Sequence, residues 1–397
     1  MIGISKLYCG AVEPADVLRY NRESKRLPSE LLQFSADKKP VVVWNCTQTC
    51  NLRCVHCYAE SECKQYENEM TTAEAKAMID DLAAFGAPVL LFSGGEPCVR
   101  PDLVELMHYA RSAGMRVVIS TNGTLITPEL AEQFAQVGLS YVGVSLDGCR
   151  QTHDRFRGVE GSFDRAIQGI RNAKAAGIKV GLRMTINRQN WQDINAIFDV
   201  MEAEGINRAC FYHLVYTGRG SELMQEDLDH EQTRQAVRLI MDRTRDWFDR
   251  GGSPEILTVD NHADGPFVYQ ELLKEDPERA QAVYELLQMN GGNSTGAGIG
   301  CVSWDGEVYA DQFWRHFSFG NVRQRPFSEI WTDISRTTPE SELMYRLKNK
   351  RPFVTGRCAE CKWLNICNGN FRVRAEAATG DLWASDPACY LTDEEIH

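Results

Sequence analysis

Cys50, Cys54 and Cys57 stand in a Cys-x3-Cys-x2-Cys run directly after the apolar segment Val41-Val42-Val43-Trp44. Three thiolates this close together can hold three irons of a cubic iron–sulfur cluster. The fourth iron is then open to a small molecule, which separates a catalyst from an electron carrier. The other reading of the spacing is a structural zinc site with a fourth ligand elsewhere, such as His56. A second cysteine set lies near the other end: Cys358-x2-Cys361-x5-Cys367, with Cys389 beyond 21 intervening residues. Four thiolates saturate a 4Fe–4S cluster or bind zinc, and spacing alone does not separate the two.

Such side chains need a frame. From about residue 40 the sequence alternates short apolar strands with amphipathic helices. The pattern predicts strands near 41–46, 88–93, 116–120, 141–146, 179–186 and 208–214. Thr71-x-x-Glu74 reads as a capping box opening one helix, and Pro101 suits the first turn of another. Six strand–helix units with parallel strands give an α/β fold, a partial (β/α)6 TIM-like barrel that need not close. Catalytic groups in such barrels gather at the C-terminal ends of the strands. Cys50 follows the first strand, and Gly94-Gly95-Glu96-Pro97 follows the second. Ser120-Thr121-Asn122-Gly123 ends the third and Ser145-Leu146-Asp147-Gly148 the fourth, although Asn-Gly and Asp-Gly are also ordinary turn formers. Arg183 lies on the fifth strand and His213 ends the sixth.

The chain divides into an N-terminal extension (1–39), the barrel (40–220), a charged helical bridging region (221–290) and a C-terminal domain (291–397). The bridging region holds one long candidate helix, 230–250. The run 291–300 lacks the Gly-Lys-Ser/Thr ending of a P-loop and reads as a flexible joint that brings the backbone close to something. Cys301 then opens a hairpin turning at Asp305-Gly306. At 397 residues, 43% apolar and 25% charged, the composition is that of a multidomain enzyme. A net charge of −12 argues against a general nucleic-acid surface. No apolar run reaches membrane-spanning length, and Met1–Lys6 lacks a secretory layout. Fourteen cysteines in a cytoplasmic chain point to metal rather than disulfides.

The triad, the strand before it and the Gly-Gly-Glu-Pro turn together resemble the radical S-adenosylmethionine (SAM) enzymes. One departure is His56, where that family usually has an aromatic residue before the third cysteine. The resemblance implies a 4Fe–4S cluster on Cys50, Cys54 and Cys57, with SAM chelating the open iron. It places the SAM amino group at Gly94, Gly95 and Glu96. Asn122 and Ser145 would approach the methionyl and ribose parts, and Arg183 would meet the SAM carboxylate, an ion pair or solvated arginine being the alternative. Phe319-Gly320-Asn321-Val322, Ile330-Trp331 and the distal cysteines resemble the SPASM/twitch-type domains of the same enzymes. That implies a second 4Fe–4S cluster on Cys358, Cys361, Cys367 and Cys389. A further cluster found in full SPASM domains looks lost: Phe371 replaces one of its cysteines, leaving Cys301 freed for another task or merely buried.

The first eight residues, the run 32–40 and the runs 367–375 and 386–391 resemble the radical SAM enzymes that deacetylate didecarboxysiroheme in siroheme-dependent haem synthesis. Relatives in haem d1 synthesis share the C-terminal pattern. The resemblance implies an iron tetrapyrrole substrate from which two acetate side chains are removed, giving Fe-coproporphyrin III. It also implies a low-potential electron donor of flavodoxin or ferredoxin type. The haem d1 reaction on propionates and a peptide-modifying SPASM enzyme are the alternatives. Such a substrate is flat, apolar in its plane and anionic at its rim. Arg315, Arg323, Arg325, Arg372 and Arg374 are candidate carboxylate partners. Cys301, His213 and His316 are candidate axial ligands of its iron, and Trp304, Phe313, Trp314 and Phe317 candidate packing surfaces.

Overall fold

Short β-branched and apolar runs form the strands of a computed structural model that describes residues 1–11 and 39–397. The strands are β1 (Ile2–Gly3), β2 (Val41–Thr47), β3 (Val89–Gly94), β4 (Arg116–Thr121) and β5 (Val142–Ser145). They continue as β6 (Val180–Ile186), β7 (Arg208–His213), β8 (Glu255–Val259), β9 (Ile299–Val302) and β10 (Val308–Tyr309). All ten join one sheet in the order β1-β8-β7-β6-β5-β4-β3-β2-β9-β10. β2 to β7 are the six expected parallel strands, each pairing with the next. Their helix-facing residues, among them Phe92, Val117, Val142, Leu182 and Phe211, are fully buried, and this apolar burial is the main stabilising term.

At the sheet's edges, the start of the N-terminal extension is part of the sheet: β1 pairs antiparallel with β8, and the helix Ile4–Cys9 buries Ile4 and Leu7. The region 221–290 is not purely helical. It contains β8, which extends the parallel sheet beyond β7. The resembling run 32–38 lies outside the described residues.

The helix Thr72–Phe85 starts with the expected capping box between Thr71 and Glu74. The next helix begins at Leu103, two residues later than Pro101 suggested, because Pro101-Asp102 forms a turn. The long helix is His230–Asp249, capped by Asp229. The C-terminal domain is hydrogen-bonded into the barrel: β9 runs parallel to β2, with Cys301 opposite Val43. The glycine-rich run is pinned rather than flexible. A Cβ on Gly292 would overlap the Cys367 backbone, and the buried Lys350 ammonium donates to Asn293 O and Thr295 O.

Candidate active site

At the C-terminal ends of β2 to β7 lies a cavity of about 160 Å³ that opens to solvent. Cys50, Cys54, Cys57, Gly94, Gly95, Asn122, Ser145 and Arg183 all line it. The structure therefore brings together residues drawn from five strand ends or strands.

The triad sits on a braced loop. Cys50 N–H donates to Glu62 O at 3.0 Å, and Leu52 N–H donates to Cys50 Sγ at 3.4 Å. Leu52 and Val159 pack around the sulfurs. From the helix Arg150–Arg157, Arg157 reaches Cys54 Sγ at 3.4 Å with Nη1 and Asp147 Oδ2 at 2.6 Å with Nη2. Arg219 N–H donates to Cys57 O, and its Nε donates to Cys54 O at 2.8 Å. Burial pushes the Cys50 and Cys54 thiols up, against the attraction of Arg157 at Cys54. Clustered thiolates here need a metal to stabilise them. Three soft thiolates on one short loop fit three corners of a cubane.

His56 sits beside Asp147, Nε2 to Oδ2 3.5 Å. Burial drives its pKa down to about 4, despite the nearby carboxylate, so the imidazole is neutral. Burial opposes ionisation of Asp147, yet Arg157 and then His56 hold its carboxyl below the ordinary value.

Gly94 and Gly95 press against the cluster loop. Gly95 N–H donates to Thr47 O at 2.7 Å, and a Cβ on Gly95 would overlap Thr49 O. Glu96 is fully buried and does not line the cavity. Its carboxylate accepts from Thr121 Oγ1 at 2.6 Å, Asn122 N–H at 2.7 Å and Cys98 N–H at 3.0 Å. Glu96 thus ties the loop after β4 to the Gly-Gly turn. Asn122 Nδ2 donates to Asn51 Oδ1 at 2.8 Å, which returns that loop to the cluster loop. Arg183 donates from Nη1 to Ser120 Oγ at 2.9 Å, and its buried Nε has no partner. Among the described residues no carboxylate pairs with Arg183 or Arg219. Two uncompensated cations on one cavity favour an anionic ligand.

Cys358, Cys361, Cys367 and Cys389 converge on a second, small pocket, with Ala263, Pro266, Trp363 and Leu391 around them. Burial pushes Cys361 and Cys367 up, and Cys389 up to about 12. Four soft ligands in an apolar pocket suit a fully ligated cluster.

Other sequence candidates are redirected. Cys301 is fully buried among Val43, Tyr309 and Leu91 and does not line the cavity. Its sulfur takes a hydrogen bond from Asn45 Nδ2 at 3.5 Å, so it has no open face for an axial bond. His213 is committed through Nε2 to the buried Asp264 at 2.9 Å, whose other oxygen accepts from Tyr390. Arg374 is fully buried in a forked pair with Asp386, and Arg372 donates to the carbonyls of Leu382 and Ala384. Neither is free to hold a substrate. Arg323 pairs with Glu74, Arg325 with Asp333 and His316 with Glu376. Arg315 donates to Tyr58 O and lies over Trp304, 4.3 Å from its ring centre. Trp304 and Trp314 belong to the core, and Phe317 packs on Phe319. Phe313 does line the cavity. Arg157 and Arg219 escaped the sequence reading: Arg157 lies in a charged helix that reads as solvated, and Arg219 follows a strand end by six residues.

The family model of the Radical SAM superfamily matches residues 44–201, and that of the SPASM iron–sulfur cluster-binding domain matches residues 297–362. The chain is 66% identical to the Fe-coproporphyrin III synthase of Methanosarcina barkeri (strain Fusaro / DSM 804), over 100% of this chain and 99% of that protein. It is 40% identical to the pre-heme d1 synthase of Dinoroseobacter shibae (strain DSM 16493 / NCIMB 14021 / DFL 12), over 90% of this chain and 87% of that one. Identity to the AdoMet-dependent heme synthase of Methanosarcina barkeri is 33%, over 88% of this chain and 95% of that protein. Among solved structures, native anSMEcpe with bound AdoMet shares the fold at a TM-score of 0.67 and 18% identity, over 88% of this chain and 93% of that one.

Proposed function

Since the chain belongs to the radical SAM family, we propose that it removes two acetate side chains from 12,18-didecarboxysiroheme to give Fe-coproporphyrin III. The observation that carries this reading is the 66% identity to the Methanosarcina barkeri synthase across the full chain. The cofactors are a [4Fe–4S] cluster and SAM, with an auxiliary iron–sulfur cluster in the C-terminal domain. When bound, cluster and SAM supply a 5′-deoxyadenosyl radical that abstracts a hydrogen atom from the substrate.

The residues have distinct tasks in this reading. Cys50, Cys54 and Cys57 anchor the N-terminal cluster. The backbone of Gly94 and Gly95 takes the SAM amino group, while Glu96 holds that turn and the Asn122 loop in register. Arg183 takes the SAM carboxylate, and Ser145 and Asn122 flank the rest of the cofactor. Cys358, Cys361, Cys367 and Cys389 hold the auxiliary cluster. Phe313 offers a face to the macrocycle, and Arg219 a cation to its rim carboxylates. The electron comes from a flavodoxin- or ferredoxin-type donor. No helix among the described residues is long and apolar enough to cross a membrane.

The test is anaerobic incubation of reconstituted protein with SAM, a reductant and didecarboxysiroheme, followed by mass analysis. Fe-coproporphyrin III is the expected product, with at least one SAM consumed per side chain. A product that keeps both acetates and loses propionates would assign the haem d1 reaction instead. If no tetrapyrrole perturbs the visible spectrum on mixing, the substrate class is wrong.

A further inference from the structure

Arg157 is a cation in an unusual place. It is only 7% exposed and lies against the sulfur of Cys54 rather than in solvent. Its guanidinium is held at both terminal nitrogens. Nη1 reaches Cys54 Sγ at 3.4 Å and Nη2 reaches Asp147 Oδ2 at 2.6 Å. Asp147 is itself fixed: it is fully buried, and its Oδ1 accepts the Thr185 N–H at 3.1 Å. The Arg157 backbone is docked too. Arg53 N–H donates to Arg157 O at 3.1 Å and Val55 N–H donates to Phe156 O at 2.9 Å. The helix end and the cluster loop therefore move as one piece, and the guanidinium cannot swing away without breaking both contacts.

We propose that Arg157 sets the reduction potential of the N-terminal cluster by donating a charge-assisted hydrogen bond to the Cys54 thiolate, with Asp147 as the counter-ion that positions it. The proposal rests on the reading of Cys54 as a cluster ligand. The step involved is the transfer of one electron from the external donor to the cluster, with no bond made or broken. That electron makes the cluster more negative by one charge. A cation and a hydrogen bond at a ligand sulfur stabilise the more negative state, so they raise the potential and ease reduction. Asp147 works in the opposite sense by neutralising part of that cation. The pair is thus an electrostatic setting with two contributions of opposite sign.

The experiment is a potentiometric titration of the full-length reconstituted protein, followed by electron paramagnetic resonance. The N-terminal cluster is recognised by its spectral response to SAM. In Arg157→Gln the potential should fall. At a fixed solution potential the ratio of reduced to oxidised cluster should drop about tenfold, a shift of about 59 mV for one electron. In Asp147→Asn the potential should rise. A purely structural role moves neither potential in a loaded protein, or moves both the same way, and either result overturns the proposal. If Arg157→Gln does not load the cluster, Asp147→Asn decides alone: a rise supports the proposal, and no rise or no loading overturns it. Failure of the underlying reading is separable, because Cys54→Ala would then keep the SAM-responsive signal.

Discussion

At the residue scale, the site is a set of charges and sulfurs whose partners decide their use. Arg183 has a hydroxyl partner and a buried Nε with none, which suits an incoming carboxylate. Replacing it with leucine should weaken SAM binding by about 10- to 100-fold, the worth of a hydrogen bond to a charged group. Calorimetric titration of SAM checks this, and the N-terminal cluster should stay loaded. The cysteine triad was legible because three thiolates at short spacing have few uses. Arg157 was not, because its contact with Cys54 spans 103 positions and nothing local marks it. Arg372 and Arg374 misled for the opposite reason. An Arg-Val-Arg run reads as exposed, yet Asp386 lies 12 positions beyond Arg374 and buries it in a paired state.

Among elements, the turns at the strand ends carry the close tolerances. Gly95 has no room for a side chain beside Thr49 O, so Gly95→Ala must displace either the turn or the cluster loop. Loss of SAM cleavage by at least about tenfold is expected, with the auxiliary cluster retained; 5′-deoxyadenosine yield and iron content measure both. The end of β8 carries a different kind of tension. Asp260 has a left-handed φ of 67° and a buried Oδ2 with no partner. Burial raises its pKa from 3.8 to about 7, against the attraction of the Met1 ammonium, Arg374 and His213 and with the repulsion of Asp311. The folded state therefore holds this proton more tightly than the unfolded chain does. Its contribution to stability falls as pH rises from about 4 to 7 and stays lost above that. Asp260→Asn keeps a residue tolerant of that backbone and should gain on the order of 1–3 kcal/mol at pH 8 but not at pH 4. Urea unfolding at the two pH values tests it. The run Glu255–Val259, between Pro254 and Asp260, carried a strand signal, but its charged helical flanks masked it. β1, at two residues, is too short for any periodicity to reveal.

For the whole molecule, two cysteine sets are braced against one sheet. Replacing Cys50, Cys54 and Cys57 with alanine should remove about four irons per chain, one cubane's content, and abolish 5′-deoxyadenosine formation. The irons that stay should belong to the distal cysteines and show no spectral response to SAM; iron and zinc analysis of the anaerobic protein checks the metal. The barrel was legible in the alternation of strand and helix. The way the C-terminal domain joins it was not, since pairing of β9 with β2 links residues about 258 positions apart and leaves no local trace. That pairing has a consequence for electron tunnelling. β2 leads directly into the cluster loop, and β9 follows the run in which Gly292 rests on the Cys367 backbone. The cluster loop follows β2, and the distal cysteines are tied through the Cys367 backbone to the run that leads into β9, so both cysteine sets are braced on a single hydrogen-bonded frame. The gap an electron must cross is fixed by the frame, so the rate of exchange between the clusters should not depend on solvent viscosity. Magnetic coupling between the two reduced clusters should appear as one narrow distribution of distances, the same with and without substrate.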